Sequence, residues 1–389
     1  PTLGEQQTYI HTNGKFVPAT LQAIPAFLKI FDEILSNSVD EHKRAPDVLD
    51  TIKVSISPMD GEFSIEDNGR GIPVQMHQET KQYVPEMIFS NLRAGSNFED
   101  DEDQSLIGTN GVGSTICAIL SEYFIVETAD GKKFFKQEFS KGLREKSEPV
   151  IHGSTRKFTR ITFLPDYQYF KMSGLDQDHI NIITKMVYDA AANNPKVNFY
   201  LNGSLIQINS FEDYIKMYTD DYVYESSKYW AIGVSPSDGF SHISFVNGVN
   251  TYQGGVHVDY IAKQITNGLQ EYINKKHKLV IKPAEIKNHL RLFISSTINR
   301  PRFSSQTKEM GETAALQGAI AGEYTVMKSW EGKYNSYLKT AQGYAEQIKS
   351  CIGLYAEGVK ALRNIYNLQR AITHNPQGII TSACLTDIY

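Results

Sequence analysis

FDEILSNSVDE, residues 31–41, carries two patterns at once. With Phe27 and Leu28 ahead of it, its Phe31, Ile34 and Leu35 gather on one side at about 100° per residue, as in a helix docked on a core. On the other side Glu33, Asn37 and Asp40 stack at i, i+4 and i+7. A column of this kind, standing alone, is also what a solvated helix face looks like. The rest of the chain has to separate a solvated face from a reactive one.

At roughly 100–200 residues per domain, 389 residues correspond to two domains or three. Hydrophobic residues make up 41% and charged residues 21%, enough to bury ordinary cores and unlike a disordered chain. The net charge of −5 argues against nucleic-acid binding through bulk positive charge, and leaves a local basic patch open. Cys117, Cys351 and Cys384 form no close pair and no metal-ligand spacing, which fits a reducing, intracellular setting. No apolar run approaches the roughly 18 residues of a membrane span, and no signal peptide is visible.

The expected elements mix helices with antiparallel strands, an α+β class. One helix is expected over about 20–44. Ile52, Val54 and Ile56 alternate, turn at Asp60-Gly61 and resume at Phe63 and Ile65, a hairpin pattern. A Gly-rich, acidic segment from Arg93 to Gly113 leads into a helix at Thr115–Leu120 and a strand at Tyr123–Thr128. RKFTRITFLPD reads as a strand, HINIITKMVYDAAANNP as a helix, and VNFYLNGSLIQI as a second hairpin around Asn202-Gly203. A second unit is expected from about 221. It holds HISFVNGVNTYQGGVH, a long helix to about Asn274, the basic KKHK, a strand LRLFISS, the loop NRPRFSSQTKE and a helical pattern over about 312–372.

Three short pieces carry chemistry. EDNGRGIPV ends a strand with Asp67, followed by Gly69 and Gly71. A carboxylate there can accept from an exocyclic amine, and the glycines let backbone approach a ligand. The same pattern alone also describes an Asp-Gly turn. IGTNGVGST sets Gly108, Gly111 and Gly113 before a helix, where free N–H groups suit an anion. It matches neither GxxxxGK[ST] nor GxGxxG. Gln306, Thr307 and Lys308 offer a compact charge suited to a terminal phosphate, or simply an exposed lysine.

In order and spacing these pieces resemble the GHKL ATPases, and more narrowly the ATPase region of type IIA DNA topoisomerases of the eukaryotic and T-even-phage branch. The resemblance rests on KIFDEILSNSVDE, VPEMIFSNLRAGSNFEDDEDQ, IGTNGVGSTICAILSEYFIVETADG, TRITFLPDYQYF, SFVNGVNTYQGGVHVDY and the segment ending in SSQTKE, over about residues 20–340. It implies a GHKL (Bergerat) sandwich over 1–220. A transducer of ribosomal-protein-S5-like fold with a long C-terminal helix would follow over 221–360, then a helical connector over 361–389 toward a TOPRIM domain. It implies ATP and Mg²⁺ as cofactors. By this resemblance Glu33 is the general base that activates water, and Asn37 helps hold the metal; i and i+4 side chains point into one cleft. Asp40 is expected to be structural. Asp67 matches the adenine-amine acceptor, with Gly71 and Ile72 lining that pocket and Thr159 supporting the contact. Ser96 and Asn97 match ribose and phosphate contacts, and Asn110, Gly111, Val112, Gly113 and Ser114 the phosphate loop. Gln306 and Lys308 match transducer residues that reach the γ-phosphate. Lys275, Lys276 and Lys278 match a DNA-facing lysine loop, although an exposed turn explains lysines there equally well.

The sequence departs from the eukaryotic pattern at Thr109 and Thr115, where that branch has cations on the phosphates. Charge compensation is then expected from Lys308, Mg²⁺ and backbone amides. There is no E-G-D-S with D-x-D and no winged-helix context for a cleaving tyrosine, and the acidic 100–103 run reads as a solvated loop. The expected function is the nucleotide-gated, homodimerising ATPase portion of a type II topoisomerase, an enzyme that hydrolyses ATP to drive passage of double-stranded DNA. It would work with a cleavage core on the same chain or a separate subunit, without cutting DNA itself or binding membrane. The expected setting is bacterial or phage-infected host cytoplasm, or the nucleus if eukaryotic. A GHKL chaperone or mismatch-repair ATPase is the alternative, separated from the first by the QTK and KKHK segments. A nucleotide-binding scaffold without hydrolysis is a third, opposed by intact Glu33.

Overall fold

The computed structural model describes residues 2–78, 80–91, 113–277, 280 and 282–298. The chain divides between Ser210 and Phe211 into two compact units. Among the described residues the first contains β1 (Gly4–Thr12), β2 (Lys15–Ala23), α1 (Pro25–Arg44), β3 (Thr51–Ile56), β4 (Phe63–Asp67), α2 (Val84–Ser90) and α3 (Gly113–Ile119). It continues with β5 (Ser121–Asp130), β6 (Lys133–Ser140), β7 (Glu145–Lys146), β8 (Val150–Gly153), β9 (Lys157–Pro165), α4 (Gln177–Asn193), β10 (Asn198–Leu201) and β11 (Ser204–Leu205).

Nine strands form one sheet in the order β11-β10-β3-β4-β9-β5-β6-β7, with β8 on β6. Alternation sets its faces: Ile52, Val54 and Ile56 of β3, Phe63 and Ile65 of β4, and Phe124 and Val126 of β5 are buried. Helix α1 docks through Phe27 and Phe31, whose rings meet Phe63 at 6.2 and 5.5 Å. The helix begins at Pro25, five residues later than expected, because β2 runs through Ala23. Proline's fixed φ and missing N–H suit the first helical position. Strand β2 pairs with β1 around Asn13-Gly14, both at positive φ as a type I′ turn requires. The hairpins β3–β4 and β10–β11 form where the sequence places them.

The second unit contains α5 (Phe211–Lys216), β12 (Val223–Ser226), β13 (Trp230–Pro236), β14 (Ser241–Val246), β15 (Val249–Asn250), α6 (Val256–His277), α7 (Pro283–Lys287) and β16 (Leu290–Ser296). Its five strands run β12-β13-β16-β14-β15, and β14 and β16 are parallel, joined through α6. One face sets Ile232, Val234, Leu292 and Ile294 against Val258, Ile261 and Ile265 of α6. On the other face α5 lies so close that a Cβ on Gly233 would meet Ile215 Cδ1 at 2.5 Å. The edge-to-face contacts of Phe211 and Tyr214 with Phe245 put α5 in this unit, ahead of the expected start near 221. Helix α6 extends past Asn274, so Lys275 and Lys276 sit in its last turn, with Lys275 paired to Glu271. Lys278 and the helical pattern at 312–372 lie outside the described residues.

Candidate active site

Helix α1 presents Glu33 half-buried and Asn37 exposed. Lys29, one turn earlier, bridges Glu33 at 2.9 Å and Asp32 at 2.6 Å. Burial opposes the Lys29 charge, but Asp32 and Glu33 outweigh it and raise its pKa well above the ordinary lysine range. The Glu33 carboxylate lies against the first residue of α3: a Cβ on Gly113 would meet Glu33 Oε2 at 1.8 Å. Only glycine brings the end of the Gly-rich segment this close to the acid. The expected column does not continue through Asp40, which is 2% exposed and lies 3.6 Å from Lys43. The row runs instead through Glu41, two turns beyond Glu33. Glu41 accepts from Arg70 Nε at 2.8 Å and Nη2 at 2.9 Å. Burial works against the Glu41 charge, yet the Arg70 hydrogen bonds prevail and keep its pKa below the ordinary glutamate value.

Facing α1, three adjacent strands place Asp67, Thr159 and Thr128 in direct register. Opposed residues share a face, so the three form one row across the sheet. Asp67 is 5% exposed; its Oδ2 accepts from Ser38 Oγ at 2.9 Å and its Oδ1 from the Gly69 amide at 3.0 Å. Burial pushes its pKa up to about 7 against those two hydrogen bonds, and the charges of Glu41 and Glu66 add to the rise. Thr128 and Thr159 share a hydroxyl contact of 3.2 Å, and Thr128 donates to Phe158 O at 2.9 Å.

The segment after Asp67 is pinned by its amides. Arg70 N donates to Glu41 at 3.2 Å, Ile72 N to Thr128 Oγ1 at 2.9 Å and Val74 N to Asp130 at 2.9 Å. Gly71 has φ +75°, and a Cβ there would stand 1.9 Å from the Ala129 carbonyl oxygen. The segment thus closes on the end of β5, beside the buried Asp67 carboxylate. Such a carboxylate can accept from an exocyclic amine.

Glu33, Asn37, Asp67, Gly71, Ile72, Gly113, Ser114 and Thr159 are therefore in the first unit, with Glu33 against Gly113 and Asp67 in register with Thr159. Ser96, Asn97, Thr109, Asn110, Gly111, Val112, Gln306 and Lys308 lie outside the described residues. Thr115, which stands where the eukaryotic branch has a cation, is buried and donates to Asn91 O at 3.3 Å. The sequence reasoning missed Lys29, Ser38, Glu41, Arg70 and Thr128. Lys29 was legible as the i−4 neighbour of Glu33.

A family model described as histidine kinase-, DNA gyrase B-, and HSP90-like ATPase matches residues 23–166, and one described as DNA gyrase B matches 197–348. The crystal structure of the ATPase region of Saccharomyces cerevisiae topoisomerase II is 30% identical, with a TM-score of 0.78, covering 94% of this chain and 93% of that one. The chain belongs to the type II DNA topoisomerase family, as an ATPase region. The ATPase and transducer domains of the Balamuthia mandrillaris topoisomerase II are likewise 32% identical, with a TM-score of 0.74 over 85% of this chain and 93% of that one. DNA topoisomerase 2 of Pisum sativum is 40% identical over 324 residues, and that of Drosophila melanogaster 40% over 318. This ATPase region spans about a fifth of their length, since the matches cover 22% of each. The first unit is a GHKL-type, ATP-binding domain, and the second carries the gyrase-B-type domain that accompanies it in this family.

Proposed function

We propose that this topoisomerase ATPase region hydrolyses ATP between α1 and the Asp67–Thr159–Thr128 row, with Glu33 as general base. The observation that carries the proposal is the Glu33 carboxylate held by Lys29 at 2.9 Å and seated on Gly113, where the Gly-rich segment ends. Asp67 accepts the adenine amine, supported by Thr159, while Gly71 and Ile72 close the pocket. Ser96, Asn97, Asn110, Gly111, Val112 and Ser114 hold ribose and phosphates in this proposal. A carboxylate at Glu33 takes the proton of a water in line with the γ-phosphate.

Among the described residues no group of three or more His, Cys, Asp or Glu could cage a metal. The exposed Asn37 amide fits Mg²⁺, which commonly takes one or two protein oxygens and completes its shell with phosphates and water. Asn37 would supply the amide oxygen, and Mg²⁺, when bound, would neutralise charge on the phosphates.

The wider role follows from the family. The second unit, from Phe211 to about 360, acts as transducer and 361–389 as connector, with Gln306 and Lys308 carrying the nucleotide state between units. Nucleotide joins two copies as a gate, and a cleavage core on the same chain or another subunit passes duplex DNA. Lys275, Lys276 and Lys278 contact that DNA. The setting is wherever the DNA lies: bacterial or phage-infected host cytoplasm, or the nucleus if eukaryotic.

The test is Glu33→Gln, which keeps the shape and removes the base. ATP should still bind and still close the dimer, while turnover falls roughly 10²–10⁴-fold. Turnover within a few-fold of the parent would remove Glu33 from this role.

A further inference from the structure

The chain carries a net charge of −5, yet one end of the large sheet concentrates positive charge. Two turns meet there, the β5–β6 turn at Gly131-Lys132 and the β8–β9 link at Ser154–Arg156. They are tied by Gly131 N to Arg156 O at 2.9 Å and Ser154 N to Lys132 O at 3.0 Å. Gly131 has φ +86°, a left-handed turn conformation that favours glycine. Lys132, Lys133, Arg156 and Lys157 project from these turns, all exposed. None of the four has a carboxylate partner among the described residues.

The carboxylates nearby are committed elsewhere. Asp130 accepts three backbone amides, from Val74 at 2.9 Å, Lys132 at 2.9 Å and Lys133 at 2.8 Å. Glu127 and Glu66 answer Arg160, Lys136 and Lys53 in a ladder across adjacent strands. Asp130 keeps its own charge among them, so the double turn carries four cations against one carboxylate, a local excess of positive charge. The Arg156 guanidinium sits 4.5 Å over the ring of the buried Phe158, and the His152 ring stacks on Phe134 at 4.6 Å. The cation–π contact restrains Arg156, which lowers the entropic cost of a phosphate contact there.

We propose that this double turn is a second duplex-DNA contact surface, on the first unit and separate from Lys275, Lys276 and Lys278. Its ligand is the phosphate backbone, matched by charge and read without base sequence. The choice of duplex as the polyanion rests on the DNA role proposed above. Asp130 links the double turn to the pocket wall through Val74, so a DNA contact here adjoins the nucleotide-binding segment.

The experiment is anisotropy of a short fluorescent duplex with the full chain, without nucleotide, over a fourfold range of salt. The parent is compared with Lys132→Gln/Lys133→Gln/Arg156→Gln/Lys157→Gln. Loss of up to four phosphate contacts should flatten the plot of log affinity against log salt by about 3.6, at roughly 0.9 per contact. The parent then loses about 10²-fold more affinity than the variant across that range. The pair Lys132→Gln/Lys157→Gln, which disturbs the turns less, should give about half the change. Lys171→Gln/Lys196→Gln, exposed lysines elsewhere, should give none. Equal slopes for parent and quadruple variant, or no duplex binding by the parent, would overturn the proposal. So would displacement of the duplex by polyglutamate at equal charge concentration, which would make the surface a site for acidic peptide. Because no nucleotide is present, these outcomes are independent of whether Glu33 is the base.

Discussion

Replacing Asp67 by Asn should stabilise the fold and damage the site at the same time. Burial carries the Asp67 pKa from 3.8 to about 7. At about 1.36 kcal/mol per unit, holding it ionised above pH 7 costs the folded state roughly 4 kcal/mol. The sign follows from the raised value. The folded state keeps a proton that the unfolded state has released, so the cost is absent below about pH 4 and complete above about pH 7. Asparagine carries no such cost and keeps both neighbours: Oδ1 accepts from the Gly69 amide, and Nδ2 donates to Ser38 Oγ, which now lie 3.0 and 2.9 Å from the carboxylate. Relative to the parent, Asp67→Asn should therefore gain about 2–3 kcal/mol between pH 5 and pH 8, or about 5–10 °C in melting temperature. Its affinity for an ATP analogue should fall by about 10–100-fold at pH 8, because the amide meets the adenine amine with a donor. The assay is thermal unfolding of both proteins at the two pH values, with calorimetric titration of the analogue at pH 8. A melting difference that does not change with pH would refute the raised pKa. Unchanged affinity would refute the acceptor role.

The other expectations are simpler to state. Lys29→Met keeps the apolar stem but frees the Glu33 carboxylate, so kcat should drop about 10–100-fold with KM little changed, and Lys29→Arg should restore part of it in steady-state assays. Gly71→Ala forces a left-handed alanine into the Ala129 carbonyl; analogue affinity should fall at least about tenfold and unfolding free energy by about 1–3 kcal/mol, both measurable by titration and denaturant melts. Lys308→Ala should weaken hydrolysis and analogue-induced dimerisation together, whereas Lys275→Ala/Lys276→Ala/Lys278→Ala should spare basal ATPase and reduce its stimulation by DNA, at a salt slope lowered by roughly 0.9 per contact.

How much of this was legible in the sequence depends on how far apart the partners lie. The apolar face of α1 was legible because Phe27, Phe31, Ile34 and Leu35 recur at helical period, and Glu33 and Asn37 followed from the same period. The hairpins at Asp60-Gly61 and Asn202-Gly203 declared themselves through local turn residues. The hairpin at Asn13-Gly14 carries the same local signal, with Pro18 inside its second strand; β1 and β2 form a two-stranded sheet of their own, an edge that tolerates proline. What could not be read was long-range. Glu41 and Arg70 are 29 residues apart and meet only when α1 lies across the end of β4. Thr128 joins Asp67 through two strand registers, neither of which is written in any one strand. Asp40 shows the same limit from the other side. At 100° per residue the i+7 position falls about 20° short of the column axis and i+8 about 80° past it, so the period alone selects Asp40. The structure makes the other choice. The choice is made by Arg70, which draws Glu41 onto the site face, and by Lys43, which stands beside the buried Asp40. The face of the helix that the proposed site uses is therefore defined by its partners: Gly113 lies against Glu33, and Asp67 takes the Ser38 hydroxyl next to Asn37 in the chain.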